Sequence, residues 1–308
     1  MTGAVPLGLA LPSRQGIIRA LRAVVAGFVA LAGVVALWEG YKWMGEHTDD
    51  RWPGTSFGLP VRTNDLIMPH SADIWGSLWD PVQRGRSQTL AGFLFQSARF
   101  TFSEAALGFL IGTIIGLALA VLMLRFSTAE RGLMPWINIS QTVPLIALAP
   151  IIVTWGKGTA LSDTQAVSII ATYLTFFPVA VNALQGLQSP DQADLELMRS
   201  YASPWRHTLW KLRVPAARPY LFPAFKLAAT LSVVGAIVGE ISAGVKGGLG
   251  RAVLNFATIY STGPEKLYAS VLAAAALGLF VFALVSIAER IVDRNQIQNS
   301  NGSNGAGA

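Results

Sequence analysis

"ELMRSYASPWRHTLWKLRVP", Glu196 to Pro215, is a basic, helix-like stretch set between two segments apolar enough to cross a membrane. Residues 165–187 before it carry no charge, and Leu221 to Ala243 after it carries only Lys226 and Glu240. The whole chain has the same bias: of 308 residues, 52% are hydrophobic and 13% charged, with a mean hydropathy of +0.48. Such a composition belongs in a bilayer, with lipid as its solvent. A net charge of +6 would suggest nucleic acid for a soluble protein. Here much of the basic charge sits in short connectors, where it sets orientation in the membrane, and no nucleic-acid partner is expected. Cysteine is absent, which excludes disulfides, thiolate metal sites and cysteine nucleophiles.

Working outward, the apolar runs predict an all-α integral membrane fold with six transmembrane helices. Residues 1–16 form an N-terminal segment and 17–44 the first span. A signal peptide is the rival reading of that span, but no small-residue cleavage site follows it and Glu39 to Met44 continues in helical style. Residues 45–86 are polar and broken by Pro53, Gly54, Gly58, Pro60, Pro69 and Pro81, which predicts an extramembrane segment. A core over 87–289 holds five further spans: one ending at Arg125, then Gly132 to Gly156, about Gln165 to Leu187, Leu221 to Ala243, and about Leu267 to Ala288, with a polar loop at 188–220. Residues 290–308 end in "NQIQNSNGSNGAGA", too polar to pack and expected to be disordered.

Within the second span Gly108, Gly112, Gly116 and Ala120 recur every four residues, a small-residue face on which another helix can approach closely. Pro135, Pro144, Pro150 and Pro178 punctuate the third and fourth spans, which is tolerated where neighbours or cavity water satisfy the freed carbonyls. Six spans place both termini on one side. Arg14, Arg19, Arg22, Arg125, Arg131, Arg199, Arg206, Lys211 and Arg213 gather there, against Lys157, Lys246, Arg251 and Lys266 in the short connectors opposite. Both termini and the opening stretch are therefore expected to be cytoplasmic, in a plasma membrane.

The loop itself predicts two short helices. Ser189-Pro190-Asp191-Gln192 has the form of a capping box, after which Leu195, Met198 and Ala202 share a side. Ser203-Pro204 opens a second helix, in which Trp205, Leu209 and Leu212 share a face and which Pro215 limits. Such amphipathic helices have three placements: against the bilayer, beneath the bundle, or in a groove of a soluble partner.

Polar side chains within the spans are the other candidates. Gln165, Ser168, Thr172, Thr175 and Asn182 fall on one helical arc, and Asn138, Gln141 and Thr142 form a patch. Lipid suits none of them, so they either bond across helices or line a solute path. Glu240 is the one acid well inside an uncharged run. Near the outer interface, its preferred role is a gate or structural hydrogen bond, with direct solute binding second.

The loop resembles the "EAA" loop of binding-protein-dependent ABC transporter permeases: Glu-Ala-Ala, three residues, Gly, nine residues, Ile, one residue, Leu-Pro. Glu196, Leu197 and Met198 fall on the triplet, Ala202 on the glycine, and Leu212, Val214 and Pro215 on the end, with the spacing kept. "MPWINISQTVPLIALAPIIVTWGKG" and "VVGEISAGVKGGLGRAV" likewise resemble the nitrate, sulfonate, taurine and pyrimidine-precursor branch. The resemblance implies a type I importer permease fold and a loop whose docking helix fits a cleft on a separate ATPase subunit. It also implies an external solute-binding protein, a permease homodimer, and a small organic solute. A pyrimidine precursor of thiamine or a riboflavin-like compound comes first, and a sulfonate or nitrate next.

No phosphate loop of the form G-x-x-x-x-G-K-[ST] occurs; "WGKGTA" lacks the hydroxyl residue that would reach magnesium. No cofactor is expected on this chain, with ATP and magnesium belonging to the partner. An ion-gradient-driven transporter is the alternative, yet the membrane interior offers it little beyond Glu240 and shows no internal repeat. His47, His70 and His207 all lie outside the spans, so neither a metal site nor an intramembrane enzyme is expected.

Overall fold

The structure of the chain is a computed structural model that describes residues 14–52, 54–55, 57–83, 87–157, 161–245 and 247–304. Most of the N-terminal segment, and Lys246 of the charge pattern, lie outside those residues. The described residues are helical, with only isolated bridges between Arg51 and Gly58 and between Pro81 and Thr89. Two compact units divide the chain at Gly76.

The first unit is built on α1 (Arg14–His47), which is apolar enough to span over Val25–His47. Phe28, Val29, Leu31, Val34 and Leu37 are exposed along it, as lipid contact requires. Its C-terminal turns change character, and the following segment is clipped onto them. Lys42 is fully buried, with Nζ donating to Asp65 Oδ1 at 2.5 Å and to the Met68 carbonyl at 2.7 Å. Glu39 accepts from the Ser71 amide at 2.7 Å and pairs with His70 Nδ1 at 2.9 Å. Trp38 Nε1 donates to the Pro69 carbonyl, and Asp50 accepts from both the amide and the hydroxyl of Thr63. Among the described residues of the polar segment no long helix forms and α2 (Ser71–Ser77) is a short one, but the result is an ordered cap.

The second unit is a helical bundle. α3 (Leu90–Arg125) starts where Thr89 accepts from the Gly92 amide, and α6 (Asp163–Gln188) starts on a full capping box made by Ser162 and Gln165. α9 (Val214–Ala243) ends at Gly244, whose φ of +63° is the left-handed cap that glycine takes without strain. These helices pack with α6 in the middle. A β carbon on Gly108 would lie 2.9 Å from the Ser168 carbonyl, and one on Gly116 would lie 2.7 Å from that of Phe176. From the other side, a β carbon on Gly235 would lie 2.8 Å from Ala171 Cα. The small-residue face predicted for the second span is the α3–α6 contact.

The third span is not one helix. It consists of α4 (Ser127–Ser140) and α5 (Leu145–Lys157), bent by 99° across residues 141–144. Pro144 removes an amide donor and biases Val143 away from helical geometry, so the helix stops and restarts. Among the described residues five helices are continuous and long and apolar enough to cross a membrane, and there are six spans if the bent pair counts as one. α10 (Leu249–Thr258) and α11 (Pro264–Asn304) complete the unit. α11 runs on to Asn304, so order is not lost at residue 290: an established helix adds residues at little cost, even polar ones.

Candidate functional site

At one end of the bundle lies the 189–215 loop. α7 (Gln192–Ser200) is one of its helices, with Asp191 at the N-cap making no side-chain bond. Ser189 is therefore not the expected cap. It ends α6 instead, its hydroxyl donating to the Gly186 carbonyl at 2.7 Å and reaching that of Ala216 at 3.4 Å. α7 ends in a tight reversal at Ala202, whose φ is +48°. The Ser203 amide donates to the Met198 carbonyl at 3.0 Å and the Ala202 amide to that of Arg199 at 2.8 Å. This is the double-bonded helix ending that usually has glycine at the left-handed position.

α8 (Trp205–Thr208) follows, then a π-helical turn over Leu209–Arg213 that leads directly into α9. Pro215 accordingly does not stop the helix. The Val214 amide reaches back to the Leu209 carbonyl, and the widened turn accommodates the donor that Pro215 lacks. Trp205 packs on the core cluster around Met123, Leu184 and Leu209, with the Arg125 guanidinium over its ring at 5.4 Å. Arg213 Nη1 donates to the Leu187 carbonyl at 2.7 Å, tying the loop to the end of α6. Leu212 is half-buried, whereas Glu196, Pro215, Leu197 and Tyr201 are exposed, the last two at 55% and 76%.

Midway along the bundle, Asn138, Gln141 and Thr142 gather at the elbow between α4 and α5 and are all exposed. Tyr173 of α6 donates its hydroxyl to the Ser140 carbonyl, bracing the elbow where helical bonding ends. Thr172 and Thr175 are placed differently. Thr175 has no exposed surface and donates to the Ala171 carbonyl, while Thr172 donates to the Ser168 carbonyl at 2.8 Å and reaches that of Gly108 at 3.3 Å. Both side chains take part in the α3–α6 contact.

At the end opposite the loop, Glu240 is fully buried. Its Oε1 accepts from the Thr101 hydroxyl at 2.6 Å and its Oε2 from the Gly250 amide at 2.6 Å. The Leu249 amide donates to the same Thr101 hydroxyl at 2.8 Å. Glu240 thus sits against the first amides of α10, where orphan donors and the helix dipole favour an anion. Glycine makes this possible. Gly248 has φ of +81°, and a β carbon there would fall 2.2 Å from the Glu240 carboxyl.

Residues 108–298 match the family model described as "Binding-protein-dependent transport system inner membrane component". The chain belongs to that family. The formylaminopyrimidine transport permease protein ThiX of Halalkalibacterium halodurans is 33% identical over 192 residues, 62% of this chain and 74% of that one. The riboflavin transport system permease protein RibX of Chloroflexus aurantiacus is 30% identical over 231 residues, 74% and 80% of the two chains. Among solved structures, the inward-facing MetNI methionine ABC transporter aligns with a TM-score of 0.54 at 20% identity, over 66% of this chain and 95% of that one. An amino acid ABC transporter gives the same score over 65% and 94%. The fold is that of type I ABC importer permeases, and the chain is a multi-pass inner-membrane permease subunit.

Sequence reading missed one residue of this permease. Glu104 of α3 has no role in the sequence reading, yet it is fully buried and neither of its carboxylate oxygens accepts a hydrogen bond. It faces Glu240 of α9, with Thr164 and Asp163 of α6 nearby. A signal was present: Glu104 precedes Gly108 by the same four residues that space the small-residue face.

Proposed function

We propose that this permease subunit couples a solute path to a separate ATPase through the 189–215 loop. The observation that carries this reading is the pair of large side chains, Leu197 and Tyr201, left exposed on a short helix that is anchored by the Ala202 turn and by Arg213. A partner groove would cover them. ATP and magnesium would be held by that partner, two copies of the permease would form the path, and an external solute-binding protein would deliver the solute. The basic residues of the short connectors favour a cytoplasmic loop end and cytoplasmic termini. On that orientation the elbow at 141–144 lies at membrane depth, where interrupted backbone is tolerated if it lines a cavity, which supports Asn138, Gln141 and Thr142 as path residues. Glu240 would secure the outer end as a gate. The names of ThiX and RibX favour a pyrimidine precursor of thiamine or a riboflavin-like compound as solute, followed by the sulfonates and nitrate named for other relatives.

Glu196→Lys tests the docking role: the variant should stay in the membrane, lose the copurifying ATPase and lose uptake. Retention of ATPase together with normal uptake would refute it. ATP-driven uptake into liposomes without an ion gradient separates this reading from a secondary transporter, for which two buried acids would be the natural machinery. Identifying the solute held by the external binding protein tests the substrate.

A further inference from the structure

Glu104 and Glu240 occupy one buried site at the end opposite the loop, and their surroundings are unequal. Glu240 accepts two short hydrogen bonds, from Thr101 and the Gly250 amide, and faces the first turn of α10. Glu104 accepts none. Among the described residues no lysine, arginine or histidine forms an ion pair with either acid. The charged and titratable groups facing Glu104 are Glu240 from α9 and Asp163 from α6, both acidic. Two carboxylates cannot bond to each other, because neither has a hydrogen to donate. A carboxylic acid facing a carboxylate can, and the bond is of the strong, charge-assisted kind. Two ionised acids side by side in an enclosed site would repel, and nothing around Glu104 would offset the cost of its charge leaving water.

We propose that Glu104 carries a proton and shares it in a hydrogen bond to the Glu240 carboxylate, so that the two acids form a single buried site with one negative charge. The proton supplies the hydrogen bond that Glu104 otherwise lacks. The remaining charge lies on Glu240, where the amides of α10 and the Thr101 hydroxyl receive it. Three helices are joined at that point: α3 through Thr101 and Glu104, α9 through Glu240, and α10 through its first amides. The inference concerns the resting chain and does not depend on the transport reading.

Infrared spectroscopy of the full chain in lipid nanodiscs tests it directly. Wild-type protein at neutral pH in sodium-free buffer should show the carbonyl stretch of a protonated, buried carboxyl, shifted when water is exchanged for heavy water. Glu104→Gln should abolish that band, and the surface control Glu196→Gln should leave it. Thermal unfolding gives a second readout: Glu104→Gln keeps an N–H to donate to Glu240 and should melt near wild type, whereas Glu104→Ala should melt lower. Absence of the band from wild-type protein in sodium-free buffer would overturn the proposal. Equal destabilisation by Gln and Ala would overturn it as well. Should Glu104→Gln fail to fold, the wild-type spectrum still decides.

Discussion

Replacing Ala202 by glycine should stabilise the loop that carries the docking helix. Ala202 has φ of +48°, held there by the paired bonds from its own amide and that of Ser203. A residue with a β carbon loses about 1–2 kcal/mol in this conformation. Glycine avoids that loss but gives up about 0.5–1 kcal/mol through the greater freedom of its opened state. The midpoints of the two ranges differ by about 0.75 kcal/mol in favour of glycine, a drop of about three-fold in the open population at about 1.4 kcal/mol per factor of ten. Amide exchange at Ser203, corrected for intrinsic rate, should slow by that factor in Ala202→Gly. Ala202→Val should accelerate it, since a β-branched residue tolerates positive φ worst. Equal protection in all three proteins would mean that the left-handed turn is not part of the folded loop, and that its likeness to the glycine-containing family pattern carries no geometry.

Gly248→Ala would place a β carbon 2.2 Å from the Glu240 carboxyl, so the turn must open and leave a buried anion short of donors. A loss of about 1–3 kcal/mol is expected, measured as a lower melting midpoint, with no such loss for Gly33→Ala, where nothing lies within 4 Å. The cap of the first unit should loosen in acid. Asp65 is held below its ordinary range by the hydrogen bond and charge of Lys42, and Asp50 by its bonds from Thr63. Their contribution is present above the ordinary aspartate range and is lost as pH falls below about 4, so exchange at the Thr63 amide should accelerate there and not at pH 7. The chain has no cysteine of its own, so single cysteines report topology: an impermeant thiol reagent added from outside should label Thr55→Cys and miss Ser200→Cys. Labelling at 200 would reverse the orientation and remove the docking proposal with it. Finally, Glu240→Ala should impair uptake more than Glu240→Gln if hydrogen bonding secures the gate, and equally if proton relay is its role.

The spans, the glycine face and the interior position of Glu240 were legible because each depends on side-chain type at a fixed helical period. What escaped depended on neighbours distant in sequence. Ser189-Pro190-Asp191-Gln192 has every residue of a capping box, but Ser189 is claimed by the end of α6 and Ala216. Pro215 reads as a stop unless a π turn precedes it, and nothing local in "LWKLR" announces one. Pro144 marks where helical bonding fails in the third span, but not the 99° change of direction, which the packing of both halves sets. The arc of Thr172 and Thr175 shows in the sequence, but that α3 presses its glycines against the same arc does not. Glu104 was missed because an acid beside an apolar run resembles a boundary, and burial there requires a second helix carrying Glu240.

The glycine contacts that hold α3, α6 and α9 together bring backbone against backbone, with no long side chain between them to change rotamer. Such a slab has little slack: sliding one helix over another by a fraction of a turn would drive Cα atoms into carbonyls. Force applied at the loop must then travel through the slab as through a plate, and deformation concentrates where helical bonding is already relaxed, at the π turn over 209–213 and the elbow at 141–144. Spin-label distances between α3 and α6 should stay constant through a transport cycle, while those across the elbow change. The same economy of side chains that lets the helices touch makes them a lever, with its two fulcra already cut.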